Sequence, residues 1–216
     1  MIIRVKYQKK EEVKYVGHLD AMRTFTRCLK RTNIPAEYTK GFNPRIQISF
    51  ALPLGVGVTS DLDYFDLALS EKMNIEMFVA EFNSVLPVGF KIIGAEYVEN
   101  TKKSLMSLVK EAKYKLTLDT KALVQEIDAW LNQSEIWFTK EAKEKHQPSE
   151  QINLKPMILD YKVMEENGKI AIYLHTTAGS VNNLNPQNVI KALKESKIDI
   201  EDYEINREEL ILTKTA

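Results

Sequence analysis

The spacing of apolar positions along the chain switches repeatedly between two and three-to-four residues, which marks a mixture of strands and helices. Residues 4–8 open as a strand. From Gly17 onward, Leu19, Met22, Phe25, Thr26 and Leu29 share one stripe at helical spacing, predicting a helix capped at Gly17 or His18. Asp20 falls in its first turn, where a carboxylate complements the helix dipole, and Asn33 and Pro35 stop it. Residues 36–39 read as a short strand, and residues 40–45 as a loop in which Gly41 and Asn43-Pro44 supply turn chemistry. Ile46, Ile48 and Phe50 alternate with Gln47 and Ser49, the period-two mark of a half-buried strand. Pro53, Gly55 and Gly57 interrupt the apolar run 52–58, predicting a strand with a kink or bulge. A strand over 62–69, a helix capped by Asn74 and carrying Phe78 and Phe82, and a strand over 90–98 complete the first half.

The second half repeats this order. A strand over 114–118 leads to a helix capped by Asp119 or Thr120 and carrying Leu123, Val124, Ile127, Trp130 and Leu131. A strand over 135–139 precedes a highly charged stretch, 140–155, that reads as an exposed connection. Asn167-Gly168 between two apolar runs is a strong hairpin signal. Asn185-Pro186 supplies a cap and a first-turn proline for a last helix, and one or two strands end the chain over 200–205 and 210–212. Both halves thus read β-α-β-β-(β)-α-β. The expected fold is α+β, with two tandem ferredoxin-like (split βαβ) halves and antiparallel sheets. The expected division is 1–100, a linker over 101–112, and 113–216.

Composition adds limits. At 216 residues, with 44% hydrophobic and 28% charged positions, the chain has enough apolar material for a core and is not disordered. No apolar run approaches the ~18 residues that a membrane helix needs. The N-terminus reads as a strand rather than a signal peptide, so the expected location is cytoplasmic, without a membrane partner. Cys28 is the single cysteine, which excludes an internal disulfide and a thiolate cluster. His146 and His175 make no metal-ligand spacing with His18, so neither a metal nor a cofactor is expected. The formal net charge is zero, yet residues 1–60 hold eleven Lys and Arg against four Asp and Glu, a local +7 that leaves −7 for the remainder. Such separation suits an anionic partner, or mutual neutralisation of the two halves.

On the first helix Arg23, Arg27 and Lys30 form a basic stripe with Arg31 beside it, able to track phosphates or to serve as a solvated face. Tyr7, Tyr15, Tyr38 and Phe42 are nearby aromatics suited to stacking on bases. Lys40, Phe42, Asn43 and Arg45 place further binding candidates on the loop. His18 and Asp20 invite an acid–base reading, but two residues apart at a helix start their side chains do not face each other. A capping histidine and a first-turn aspartate explain them more simply. Gly55-Val56-Gly57-Val58 lacks the following Gly-Lys-Ser/Thr of a phosphate loop.

Gly17-His18-Leu19-Asp20, Gly41-Phe42-Asn43-Pro44 and the segment from Ile48 to Val56 resemble the bacterial radical-SAM-linked (radical-SAM-associated) proteins, a family of unsettled function encoded beside or fused to a radical SAM protein. The resemblance continues at Leu154-Lys155-Pro156 and Asn183-Leu184-Asn185-Pro186, and so spans nearly the whole chain. Gly17 stands where that family usually has Ser, and Arg45-Ile46 where it usually has His-Pro. The resemblance implies a radical SAM partner and, from the family's usual gene neighbourhood, a task linked to RNA or the ribosome. The expected function is a non-catalytic accessory protein that works with a radical SAM enzyme and binds RNA or a ribosome-linked partner through its basic N-terminal half. An RNA-processing or RNA-modifying enzyme using His18, and a protein–protein adaptor, are the alternatives.

Overall fold

The computed structural model describes residues 1–99, 103–141, 148–180 and 182–213. It divides into two compact units, Met1–Lys110 with Arg207–Ala216, and Glu111–Asn206. The architecture is α+β, and the strand pairings with an established register are antiparallel.

In the first unit, β1 (Ile2–Lys9) is flanked by β3 (Val58–Ala68) and β4 (Phe90–Val98). The short β2 (Ile48–Phe50) pairs with Phe65–Leu67 of β3, and β10 (Asp202–Leu212) is a further neighbour of β3. Two helices, α1 (His18–Leu29) and α2 (Ile75–Val85), contribute Phe25, Leu29, Phe78 and Phe82 to one core with Ile3, Val5 and Tyr7 of β1 and Phe65 and Leu67 of β3. Phe25 is its hub, edge-on to Tyr7, Phe50, Phe65, Phe82 and Phe90 at centroid distances of 5.1–5.8 Å. Edge-to-face contact aligns ring edges with ring faces, adding to the ~1.5–3 kcal/mol that full burial of each Phe contributes. Asn74 caps α2 as expected, its side chain accepting from Met77 N at 3.1 Å.

Several expectations need correction. Residues 36–39 form no strand but two isolated bridges, Ala36↔Leu69 and Tyr38↔Ile46. Most of the 52–58 run is irregular rather than strand, with a turn at Val56–Gly57 where Gly57 takes a left-handed φ of +82° and breaks the extended path. On α1 the buried stripe is Ala21, Phe25, Cys28 and Leu29, whereas Leu19, expected on it, is exposed.

The second unit places β5 (Val109–Asp119, its first two residues counted with the first unit) between β9 (Lys169–Thr177) and β10, with β8 (Ile158–Glu166) outside β9. The Asn167-Gly168 turn of the β8–β9 hairpin has φ of 52° and 74°, as the sequence signal requires. Preceding β5, α3 (Leu105–Leu108) buries Leu105 and Leu108 in the first unit. Within the second unit, α4 (Val124–Leu131) starts later than the predicted Asp119 or Thr120 cap, because Thr120 instead bonds the Asp199 carbonyl and the Ala122 amide. Glu126 takes over the capping, accepting from Leu123 N at 2.7 Å. β6 (Trp137–Lys140) and β7 (Glu150–Asn153) form a separate ribbon, so part of the predicted connection 140–155 is strand; residues 142–147, His146 among them, lie outside the described set. Asn185 and Pro186 open α5 (Pro186–Glu195). β10 is one strand where one or two were expected, and its residues are divided between the units.

Candidate functional site

The amphipathic register of α1 decides which of its charges face water. Burial of Ala21, Phe25, Cys28 and Leu29 leaves Arg23, Arg27 and Lys30 exposed, and Arg31 is exposed just past the helix. Arg23 is locally compensated, its Nη1 2.8 Å from Asp20 Oδ1. Among the described residues, no carboxylate lies within ion-pair distance of Arg27, Lys30, Arg31, Lys40 or Arg45. Cys28 is buried in the first unit's core: its thiol meets the Val85 carbonyl at 3.3 Å, and burial pushes it above its ordinary pKa.

The loop after the Tyr38↔Ile46 bridge is closed at its base. Thr39 N donates to Arg45 O at 2.8 Å, and Arg45 N donates to Thr39 Oγ1 at 3.0 Å. Gly41 at φ +123° turns the chain in a region that L side chains rarely adopt, and Phe42 projects fully into solvent with Asn43 exposed beside it. A fully exposed phenyl on a closed loop gains nothing from folding.

His18 sits half-buried at the start of α1, its ring edge-on to Phe50 at 5.6 Å. Gly17 is the cap residue. Asp20 does not join His18, being occupied by Arg23. His175 is elsewhere, in the second unit, with Nε2 2.6 Å from Glu111 Oε2. Among the described residues, no group of three His, Cys, Asp or Glu could hold a metal ion, and no helix is long and apolar enough to cross a membrane.

β1, β3 and β10 bury a group of charges not anticipated from the sequence. Tyr7 and Asp63 are directly paired across β1 and β3, as are Lys9 and Ser60, with a register shift between the two pairs. This irregularity lets both Ser60 and Asp63 point inward, although strict alternation would oppose them. Asp63 is 0% exposed, Arg207 of β10 1% and Lys9 2%. Arg207 Nη2 bonds Asp63 Oδ2 and, at 3.0 Å, the Leu52 carbonyl; Lys9 Nζ donates to Lys14 O at 2.9 Å.

Burial is the first cause of each electrostatic shift here. It raises Asp63, with Arg207 opposing, and holds the Tyr7 phenol well above its usual range. It lowers Lys9 to about 8, and lowers His18 against the pull of Asp63. The only sequence signals were parity: Asp63 shares the inward row with Phe65 and Leu67, and Lys9 shares one with Val5 and Tyr7. Nothing near Arg207 in the sequence marked it.

The sequence matches none of the curated proteins. Solved structures do match: a chain in the crystal structure of a Cbf5–Nop10–Gar1 complex aligns with 97% of this chain at a TM-score of 0.50 and 11% identity. That likeness concerns the fold, and this chain spans 48% of the other's length. Residues 3–186 match the sequence profile of a family described as an uncharacterized protein conserved in bacteria (DUF2344), and the chain belongs to that family.

Proposed function

We propose that this chain is an accessory protein that binds RNA, free or as part of a ribosome, through its basic N-terminal half, and that it works with a radical SAM enzyme in the cytoplasm. The observation that carries the RNA reading is a set of exposed cations without ion-pair partners among the described residues (Arg27, Lys30, Arg31, Lys40 and Arg45), together with the exposed ring of Phe42. Cations without carboxylates are free to replace the counterions of a phosphate backbone, and an exposed ring offers a stacking face. The radical SAM partner is supported by the motif resemblance alone. The split βαβ reading of the first unit is supported by its β-α-β-β-α-β order, with β1 between β3 and β4 and β2 on β3.

The test is RNA binding across a salt series. Replacing Arg27, Arg31 and Lys30 with Gln should leave the melting temperature nearly unchanged and reduce the slope of log K against log salt by about two. An unchanged slope removes this surface from the reading. Salt-insensitive capture of a protein, with no RNA bound, selects the adaptor alternative, and proteomics of the same eluate tests the radical SAM partner.

A second reading, an RNA-processing or RNA-modifying enzyme using His18, is favoured by one observation, the place of that imidazole, half-buried against Phe50 at the start of α1. Loss of RNA turnover in His18→Ala, with RNA binding kept, is its test.

A further inference from the structure

We propose that the face of the first unit's sheet turned away from α1 and α2 forms a binding site for one guanine base, held by Arg4, Glu96 and Tyr64. RNA is its expected source, so the site rests on the RNA reading and extends it beyond the exposed cations of α1.

Alternation builds the site. Ile3, Val5 and Tyr7 of β1 enter the core with Phe65 and Leu67 of β3, which leaves Arg4, Lys6, Tyr64 and Asp66 on the other face. Arg4 is directly paired with Asp66 on one side and Glu96 on the other, and Lys6 with Tyr64 and Gly94. Arg4, Lys6, Tyr64 and Glu96, with Glu209 of β10, line a hollow of about 340 Å³, within the range of small-ligand pockets. All of these residues belong to the first unit.

The first argument is an unfilled donor. Arg4 is 8% exposed. Its Nε and Nη2 each donate to Asp66 at 2.9 Å, whereas Nη1, with two N–H groups, meets no acceptor among the described residues. A buried donor without an acceptor is unfavourable, and a ligand oxygen in the hollow would satisfy it. Glu96 supplies the complement. The Lys6 ammonium lies 3.8 Å from its Oε1, an ion pair too long for a hydrogen bond, so the carboxylate remains open to a donor.

The second argument is charge and span. Arg4 and Lys6 stand against Asp66, Glu96 and Glu209, so carboxylates outnumber cations and a phosphate is disfavoured. A neutral ligand that accepts at one point and donates at another suits the hollow better. Tyr64 adds a stacking ring. With strands about 4.8 Å apart, Glu96 and Tyr64 stand about 10 Å apart across β1, a span that a purine and one hydrogen bond at its edge can bridge. Guanine carries the required pattern: O6 accepts, and the neighbouring N1–H and N2–H donate side by side to one carboxylate.

The test measures binding of guanosine, inosine and uridine to the full chain by ligand-observed NMR. These nucleosides carry no phosphate, so the cations of α1 do not hold them. Guanosine should bind at least about fivefold more tightly than uridine, and than inosine, which lacks the N2 amine. Glu96→Gln should remove that preference and leave the melting temperature nearly unchanged, because the Glu96 side chain is largely exposed. Tyr64→Leu should weaken guanosine and inosine alike, by about fivefold or more. Should Tyr64→Leu fail to fold, Glu96→Gln carries the test. A uridine pentamer with one central guanosine should bind more tightly than the all-uridine pentamer in wild type, and equally in Glu96→Gln. The proposal is overturned if guanosine shows no saturable binding, if inosine binds as tightly, or if Glu96→Gln keeps the preference. Those results leave salt-dependent RNA binding through Arg27, Lys30 and Arg31 standing. Selective guanosine binding by a chain that holds no RNA keeps this site and refutes the RNA reading instead.

Discussion

Arg207 Nη2 is hydrogen-bonded to Asp63 Oδ2, and the two side chains, 144 positions apart in sequence, are each 1% exposed. A buried pair of this kind is weak evidence for net stabilisation, since desolvation offsets the attraction. Removing one partner is another matter, because the remaining charge is stranded. Asp63→Ala should cost about 3–5 kcal/mol, and Arg207→Met a similar amount. The double variant Asp63→Leu/Arg207→Met should be less destabilised than either single one. Urea unfolding of the three variants checks this; additive losses would mean that the two residues act independently.

Stability should depend on pH through Lys9. Its folded pKa of about 8 lies below the ordinary 10.5, so between these values the unfolded chain holds more protons. Its contribution therefore rises with pH from about 8 to 10.5. His18, also lowered, acts with the same sign in the window beneath its ordinary 6.5. Asp63, raised above its ordinary 3.8, acts oppositely as pH climbs past that value. Thermal melts from pH 7 to 10.5 should show the Lys9 rise in wild type, and a flatter profile in Lys9→Met.

Gly89 is required for packing. Its φ is +96°, and an added Cβ would lie 2.9 Å from Val13 Cγ2. Lys10 N donates to the Gly89 carbonyl at 2.8 Å, so the backbone there is not free to retreat. Gly89→Ala should destabilise by about 1–3 kcal/mol, from backbone strain and overpacking together. A denaturation midpoint equal to wild type would contradict this.

The loop at Gly41 separates folding from binding. Phe42→Ala should change stability by no more than about 0.5 kcal/mol, because the ring touches little. Gly41→Val meets no steric obstacle but strains a φ of +123° and should displace the loop. RNA affinity falling in both variants, with the melting temperature of Phe42→Ala unchanged, is the expected pattern.

Periodicity made α1, α2 and β4 legible, because each has a strong stripe or alternation and α2 has a true Asn cap. It failed at residues 36–39 and 52–58, where β-prone side chains sit on backbone bent by Pro35, Pro53 and Gly57. The exposed basic residues were readable because a helix wheel separates them from Phe25 and Leu29. The buried Lys9–Asp63–Arg207 cluster was not, for two physical reasons. The register shift after Tyr7 breaks the parity that would place Ser60 on the face opposite Asp63. Arg207 reaches Asp63 only through strand pairing, which local spacing does not encode.

The distance in sequence between Asp63 and Arg207 also sets an order of events during synthesis. At ribosomal speeds of roughly 5–20 residues per second, Arg207 is added about 7 to 30 seconds after Asp63. Until then, the first unit lacks both the β10 residues beside β3 and the guanidinium that makes its carboxylate tolerable in the interior. The nascent N-terminal unit therefore waits, with the Tyr7–Asp63 end of its sheet open to water or a chaperone, for residues made after the entire second unit.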